Sequence, residues 1–379
     1  VSSRAYPLEE RYDLWKLATF IPNKHIPIHR WFYFKEGFSR DLVVLLSQEL
    51  GVSQGEVVLD PFVGSGTTPL TCMERGYIGI GVDASPLAVL VSLAKTRIYD
   101  VSELSAALER CYREKRLKTG VEEVSAYVRR AFPSRNLEDL FSLRESIESL
   151  ESDYARLFLK LALINAAAKC SYIYRDGAVL RFVKRPVPPL RPFFRRAARL
   201  MIDDVRKTCL RSGPAVILLG DARRLEAIDD ESVDKIITSP PYLNKIEYTR
   251  VYEVELELFF GKKRQDLIRS YIGLVGRDPR RSVWQLGDLP DSAVLYFSDM
   301  FDSLAEMWRV LKSGGKAAIV VAGGVYPDRV VESDVILADL ATETGFTVEK
   351  IRAIGKRVAT SGRTHRIGAA RESIVYLKK

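Results

Sequence analysis

Four cysteines and three histidines make up all the thiol and imidazole chemistry in this chain of 379 residues. Cys72, Cys111, Cys170 and Cys209 stand far apart and form no CxxC pair, which argues against both a zinc site and a disulfide framework. His25, His29 and His365 are too scattered to predict a metal centre. No apolar run reaches membrane-spanning length, so no transmembrane helix is expected. The opening residues VSSRAYPLEERYDLWKL lack the apolar stretch that directs secretion. The expectation is a soluble protein in a reducing, cytoplasmic setting with no metal. Internal repeats and low-complexity tracts are absent as well.

The chain does carry a positive excess, and it is unevenly placed. Lysine and arginine outnumber aspartate and glutamate by 58 to 49 overall, by 23 to 14 within residues 101–213, and stand at 35 to 35 elsewhere. A basic surface confined to one segment predicts an element that binds a polyanion. The plainer alternative is an ordinary solvated helical face. The candidate nucleic-acid contacts are Arg181, Lys184, Arg185, Arg191, Arg195 and Arg196.

Hydrophobic patterning divides the chain in the same way. A helix is predicted from about Ser39 to Leu50, then a short buried strand VVLD (57–60), a glycine turn, a helix ending at Gly76, a strand YIGIGVD (77–83) and a helix SPLAVLVSLAK (85–95). This βαβα order argues for a parallel sheet covered by helices. Residues 101–213 then read mostly as helices, interrupted by RDGAVLRFVKRPVPPLRP, whose prolines at 186, 188, 189 and 192 are expected to break any regular element. Strands resume at AVILLGDA (215–222) and VDKIITSPPY (233–242). After an irregular stretch come a helix over 296–315 capped by a glycine pair, a strand over 316–324, a helix over 332–345 and two closing strands. The expected domains are a catalytic unit of residues 1–100 and 214–379, and an inserted helical, basic, substrate-binding unit of residues 101–213.

Two motifs carry chemistry. In DPFVGSGTT (60–68), which follows a strand and opens a helix, Gly64 and Gly66 allow close backbone approach to a ligand. The helix N-terminus offers N–H groups to an anion. The carboxylate of S-adenosylmethionine suits this geometry, and so does a pyrophosphate. Asp83 ends the next strand, where a carboxylate can accept from both ribose hydroxyls; Asp221 ends a later one, where it can accept from an adenine amino group. The candidate cofactor contacts are Asp60, Phe62, Gly64, Gly66, Thr67, Asp83, Ala84, Asp221 and Ala222. The alternative is a glycine turn with two solvated strand-end acids.

The second motif, TSPPY (238–242), ends strand DKIITS. Two prolines halt the strand in a rigid turn without N–H groups. An exocyclic amine is a weak nucleophile, because its lone pair is delocalised into the ring. Hydrogen bonds from that amine to the Ser239 hydroxyl and the Pro240 carbonyl would localise the pair, and positioning would supply most of the rate. Ser239, Pro240, Pro241 and Tyr242 are the candidate catalytic residues, Tyr242 as a stacking platform for a flipped base. Alone, the motif reads equally as a proline turn beside a packed tyrosine.

Taken together, DPFVGSGTT and TSPPY resemble the paired signatures of the amino-methyltransferases that make N4-methylcytosine or N6-methyladenine. The extension TSPPYLNKIEYTRVYEVELELFFG is similar to the cytosine-N4 branch. The resemblance covers roughly residues 25–100 and 213–379. It implies the class I methyltransferase fold, a seven-stranded Rossmann-like α/β sheet with its last strand antiparallel, and S-adenosylmethionine as cofactor. Serine before the prolines leans toward cytosine N4, where aspartate is more typical of adenine N6. HRWFYFKEGFSRDLV (29–43) loosely matches the family's cofactor-contacting segment and nominates Phe34 and Phe38. The basic segment matches no recognition domain of the family, and a second insert, 243–295, contains GKKRQDLIRS and GRDPRRSVWQLG. The expected partner is nucleic acid, DNA being favoured over ribosomal RNA by the extended motif. A nucleic-acid-binding module with a vestigial fold would have lost a motif residue, and none is lost. A dehydrogenase would carry GxGxxG and has no use for TSPPY. A protein or small-molecule methyltransferase would not need the basic segment.

Overall fold

A computed structural model describes residues 5–113, 124–176, 179–208, 213–243, 248–261, 272–273, 289–361 and 365–379. The chain opens with a short strand β1 (Leu8–Glu10), and α1 (Arg40–Glu49) follows, capped by the Ser39 hydroxyl. Next come β2 (Val57–Asp60), α2 (Thr67–Arg75), β3 (Ile78–Asp83) and α3 (Pro86–Lys95), the last begun by Ser85 as cap and a proline in its first turn. The inserted segment supplies α4 (Val101–Arg113), α5 (Ala126–Arg130), α6 (Ser134–Glu148), α7 (Asp153–Lys169), a hairpin of β4 (Ile173–Asp176) and β5 (Val179–Phe182), and α8 (Leu190–Lys207). The sheet then resumes with β6 (Ala215–Leu219) and β7 (Val233–Thr238). Two helices follow, α9 (Tyr248–Val251) and α10 (Glu253–Phe260), then α11 (Asp291–Val310) and β8 (Leu311–Ala322). The chain closes with the small pair β9 (Gly324–Val325) and β10 (Val330–Val331), α12 (Ser333–Glu343), β11 (Thr347–Ser361) and β12 (His365–Lys378).

The main sheet has the order β1-β11-β12-β8-β7-β2-β3-β6. Its pairings are parallel from β8 through β6, while β12 runs antiparallel to both neighbours. The seven expected strands are all present with the expected reversed one, and β1 adds an eighth by pairing parallel to β11. Its residues LEE show no apolar alternation, so backbone hydrogen bonding to a sheet edge, rather than patterning, makes this strand.

Four local expectations are corrected. The helix expected over 296–315 ends at Val310, and β8 begins at once at Leu311. Gly314 and Gly315 lie in a bulge between the Leu311 and Lys316 pairings with β7, with Gly314 at φ +74. Pro192 does not break structure; it sits in the first turn of α8, where its missing N–H has no helical partner to lose. Part of the expected connection before it, residues 173–182, forms the β4–β5 hairpin. The stretch after TSPPY, read as irregular, includes α9 and α10.

The insert and the sheet are stitched together by one core. Leu87, Leu90, Val91 and Ala94 of α3 pack with Phe158, Leu161 and Ala162 of α7 and with Phe194 and Ala198 of α8. The N-terminal arm threads between them. Asp204 of α8 is buried and accepts from Arg30 Nε (2.9 Å), Trp31 Nε1 (3.1 Å) and the Ile28 amide (3.4 Å). A buried carboxylate is tolerated only with such company. Among the described residues no helix is long and apolar enough to cross a membrane. No group of three metal-ligating side chains occurs among them either.

Candidate active site

The two motifs meet at the carboxyl ends of the parallel strands. Asp60, the last residue of β2, is 2% exposed and spends its carboxylate on protein. It accepts from Thr238 Oγ1 (2.6 Å), Thr68 Oγ1 (2.7 Å) and the Phe62 amide (3.1 Å). Thr238 ends β7 and immediately precedes Ser239, and Thr68 lies in the first turn of α2. One carboxylate therefore fastens the glycine loop to the proline turn. Burial outweighs these bonds and pushes the Asp60 carboxyl up to about 6.

The loop between β2 and α2 is shaped by two glycines with positive φ, +51 at Gly64 and +78 at Gly66. A side chain at Gly66 would meet Ser92 Oγ at 2.9 Å, so the loop must present bare backbone there. Gly66 caps α2 without a side-chain hydrogen bond, and Thr67 of that first turn borders a cavity. First-turn N–H groups uncapped by a side chain are suited to a carboxylate.

That cavity is lined by Asp60, Phe62, Gly64, Thr67, Asp83, Ala84, Asp221 and Ala222, and also by Ser239 and Pro241. Gly66 shapes the loop from outside the lining, and Pro240 and Tyr242 do not line it either. Phe34 and Phe38 of the N-terminal arm do. Asp83 accepts from the Gly64 amide through one oxygen (2.9 Å) and from the Ser85 amide through the other (2.8 Å). Each oxygen keeps a lone pair, which suits the two hydroxyls of a ribose. Burial, against those two amides, pushes this carboxyl up to about 6 as well.

Asp221 is held by Arg223, which donates through Nε (2.9 Å) and a terminal nitrogen (2.6 Å). Arg223 is buried and also pairs with Asp299 of α11 at 2.9 Å. Burial alone would lower this guanidinium, but its bonds to Asp221 and Asp299 outweigh burial and raise it, so it stays charged. Asp299 accepts in turn from the Gly273 amide at 2.8 Å, beside the cavity-lining Ile272.

Tyr242 turns its hydroxyl to Glu372 of β12, donating at 2.7 Å. A different aromatic faces the cavity. Tyr252, in the turn before α10, stacks on Phe34 at 6.0 Å with an 8° tilt, and the Arg175 guanidinium lies over it at 5.3 Å. Arg175 is fixed by an ion pair with buried Glu255. Tyr252 is not among the residues that the two motifs nominate; its signal in the sequence is an aromatic within TRVYEVELELFF, the extension after TSPPY.

The predicted basic contacts separate into two groups. Arg181, Lys184, Arg185 and Arg196 are exposed, with Arg196 over the Phe193 ring at 4.9 Å. Arg191 is corrected to a scaffold residue. It is 7% exposed and donates to Tyr112 O (3.0 Å), Cys111 O (3.4 Å) and Ser142 Oγ (3.4 Å), fastening α8 to α4 and α6. Arg195 is committed to Glu109 through a two-oxygen ion pair at 2.7 Å. The basic runs of the second insert, 261–270 and 276–287, lie outside the described residues except for Gly261.

No protein-family model matches the chain. It is similar to the Type II methyltransferase M.BsoBI of Geobacillus stearothermophilus, 26% identical over 96% of this chain and 88% of that protein. It is also similar to the Type II methyltransferase M.AvaI of Nostoc sp., 26% identical over 89% of this chain and 82% of that one. A solved SAM-dependent methyltransferase from Methanosarcina mazei aligns at 10% identity over 88% of this chain and 96% of that one, with a TM-score of 0.33. The strand order, the reversed β12 and the glycine-loop cavity on the carboxyl edge make this a Rossmann-like class I methyltransferase fold.

Proposed function

We propose that the chain transfers a methyl group to the exocyclic N4 amine of cytosine in DNA. The observation that carries this reading is the shared cavity. Ser239 and Pro241 border the same space as Asp221 and as Gly64 and Asp83, which lie more than 150 residues earlier in the sequence. The alignment of two Type II methyltransferases along most of this chain supports methyl transfer, with DNA as the polymer.

S-adenosylmethionine, when bound, supplies an electrophilic methyl group. Everything else falls to the protein. Asp83 receives the ribose hydroxyls, the α2 N-terminus receives the carboxylate, and Phe34 and Phe62 provide apolar walls. Ser239 Oγ accepts from the target amine and draws its lone pair out of the ring, whereas Pro240, expected as the second acceptor, lies outside the cavity lining. The serine before the prolines supports cytosine over adenine. Asp60 keeps Ser239 in register with the glycine loop through Thr238.

Labelled methyl transfer to total DNA, ribosomal RNA and transfer RNA, followed by nucleoside analysis, tests this directly. Label in N4-methylcytosine from DNA is expected. Label only in ribosomal RNA would move the substrate, and label in N6-methyladenine would move the base. No label in any polymer would end the reading.

A further inference from the structure

The β11–β12 ribbon outruns the sheet. β12 pairs with β8 only from Glu372 to Lys378, whereas its pairing with β11 continues from Gly355↔Glu372 out to Ser361↔His365. β8 ends at Ala322, opposite Glu372, at the carboxyl end of the parallel strands. The two-stranded extension therefore projects from the edge that carries the cofactor cavity. Residues 355–371 contain five lysines and arginines and no aspartate or glutamate. Of these, Arg371 is taken by Asp334 and Glu332. Lys356 and Arg357 are exposed and form no ion pair among the described residues.

A second cavity lies at the base of this ribbon, behind the proline turn. Its wall includes Tyr12, Trp15, Leu243, Lys356, Arg357 and Glu372. Trp15 is 49% exposed, and the Lys16 ammonium lies over its ring at 5.7 Å. Glu372 is the acid in this wall, and it already accepts from Tyr242, so the cavity adjoins the catalytic turn through one hydrogen bond. An exposed indole beside two uncommitted cations is the combination that receives a base and its phosphate.

The geometry points to this cavity and the ribbon as the seat of the nucleic-acid strand next to the target nucleotide. Lys356 and Arg357 take its phosphates, and Trp15 takes the face of a flanking base. The inference rests on the nucleic-acid reading above and extends it to a surface outside the basic helical insert.

The test is the salt dependence of binding to a fluorescein-labelled duplex oligonucleotide for the wild-type chain, Trp15→Ala and the double variant Lys356→Gln, Arg357→Gln. Cofactor affinity by calorimetry reports that each variant is folded. Loss of two phosphate contacts lowers the slope of log K against log salt by about 1.8. Trp15→Ala weakens binding about tenfold, the effect of losing one stacked base. The conservative Arg357→Lys keeps the wild-type slope. An unaltered slope in the folded double variant overturns the phosphate assignment, and unaltered affinity in Trp15→Ala overturns the stacking assignment. A wild-type chain that binds no nucleic acid at all overturns the underlying reading too.

Discussion

At the carboxyl edge of the sheet, polar groups face a cavity with bonding capacity to spare. Each Asp83 oxygen is met by one amide, and no side chain caps the α2 N-terminus. In the helical insert, polar groups face one another. Arg191 is spent on the carbonyls of α4, Asp204 on Arg30 and Trp31, and Arg195 on Glu109. Both regions bury charge, and both satisfy it. The difference is whether the residual capacity points inward or toward an opening. Asp60 marks the border, since it lines the cavity yet gives its oxygens to Thr68, Thr238 and Phe62.

That contrast is most easily broken at Asp60. Asp60→Ala strands two buried hydroxyls and an amide, and a loss of about 3 kcal/mol is expected in denaturant titration. Its pH behaviour has a definite sign. The folded carboxyl titrates near 6 and the ordinary one at 3.8. The folded state thus holds the proton more tightly, and its contribution to stability is present below 3.8 and lost as pH rises through about 6. In Asp60→Asn that decline disappears, and a stability profile that still falls by the same amount would reassign it.

Arg191→Gln comes next. Leaving the Cys111 and Tyr112 carbonyls unpaired in a buried joint costs about 2 kcal/mol, with no change in the salt dependence of nucleic-acid binding. A lowered salt slope without destabilisation would return Arg191 to the binding surface.

Asp83 sharpens the other side of the comparison. Its carboxyl titrates near 6, so cofactor affinity is expected to hold above that pH and to fall by about tenfold per unit below it, as an acceptor becomes a donor. Calorimetry across this range checks it, and flat affinity would remove Asp83 from ribose binding. The smallest effect is expected from Arg181, Lys184 and Arg185 changed together to glutamine. Their removal flattens the salt slope if the exposed end of the insert touches the phosphate backbone, and leaves melting unchanged.

The meeting of the two motifs at one sheet edge was legible in the sequence because their signals are local. A strand, two glycines and a helix start lie within DPFVGSGTT, and a strand end and two prolines lie within TSPPY. What escaped depended on distant partners. Arg191 resembles its neighbours in composition, and only the approach of α4 and α6 buries it. Tyr252 becomes a cavity wall because Phe34, far away in the sequence, stacks on it and Arg175 lies over its ring. The basic ribbon was hidden by summation, since positive and negative residues balance outside 101–213 while 355–371 carry no acid at all. The bulge at Gly314 and Gly315 looked like a helix end because the same residues serve both.

The coupling of the two motifs into one site is tested most directly by the single-turnover methyl-transfer rate of Ser239→Ala at saturating cofactor. A fall on the order of a hundredfold, with cofactor affinity unchanged, is the result expected from a hydroxyl that acts only on the target amine. A wild-type rate in this variant would contradict the account.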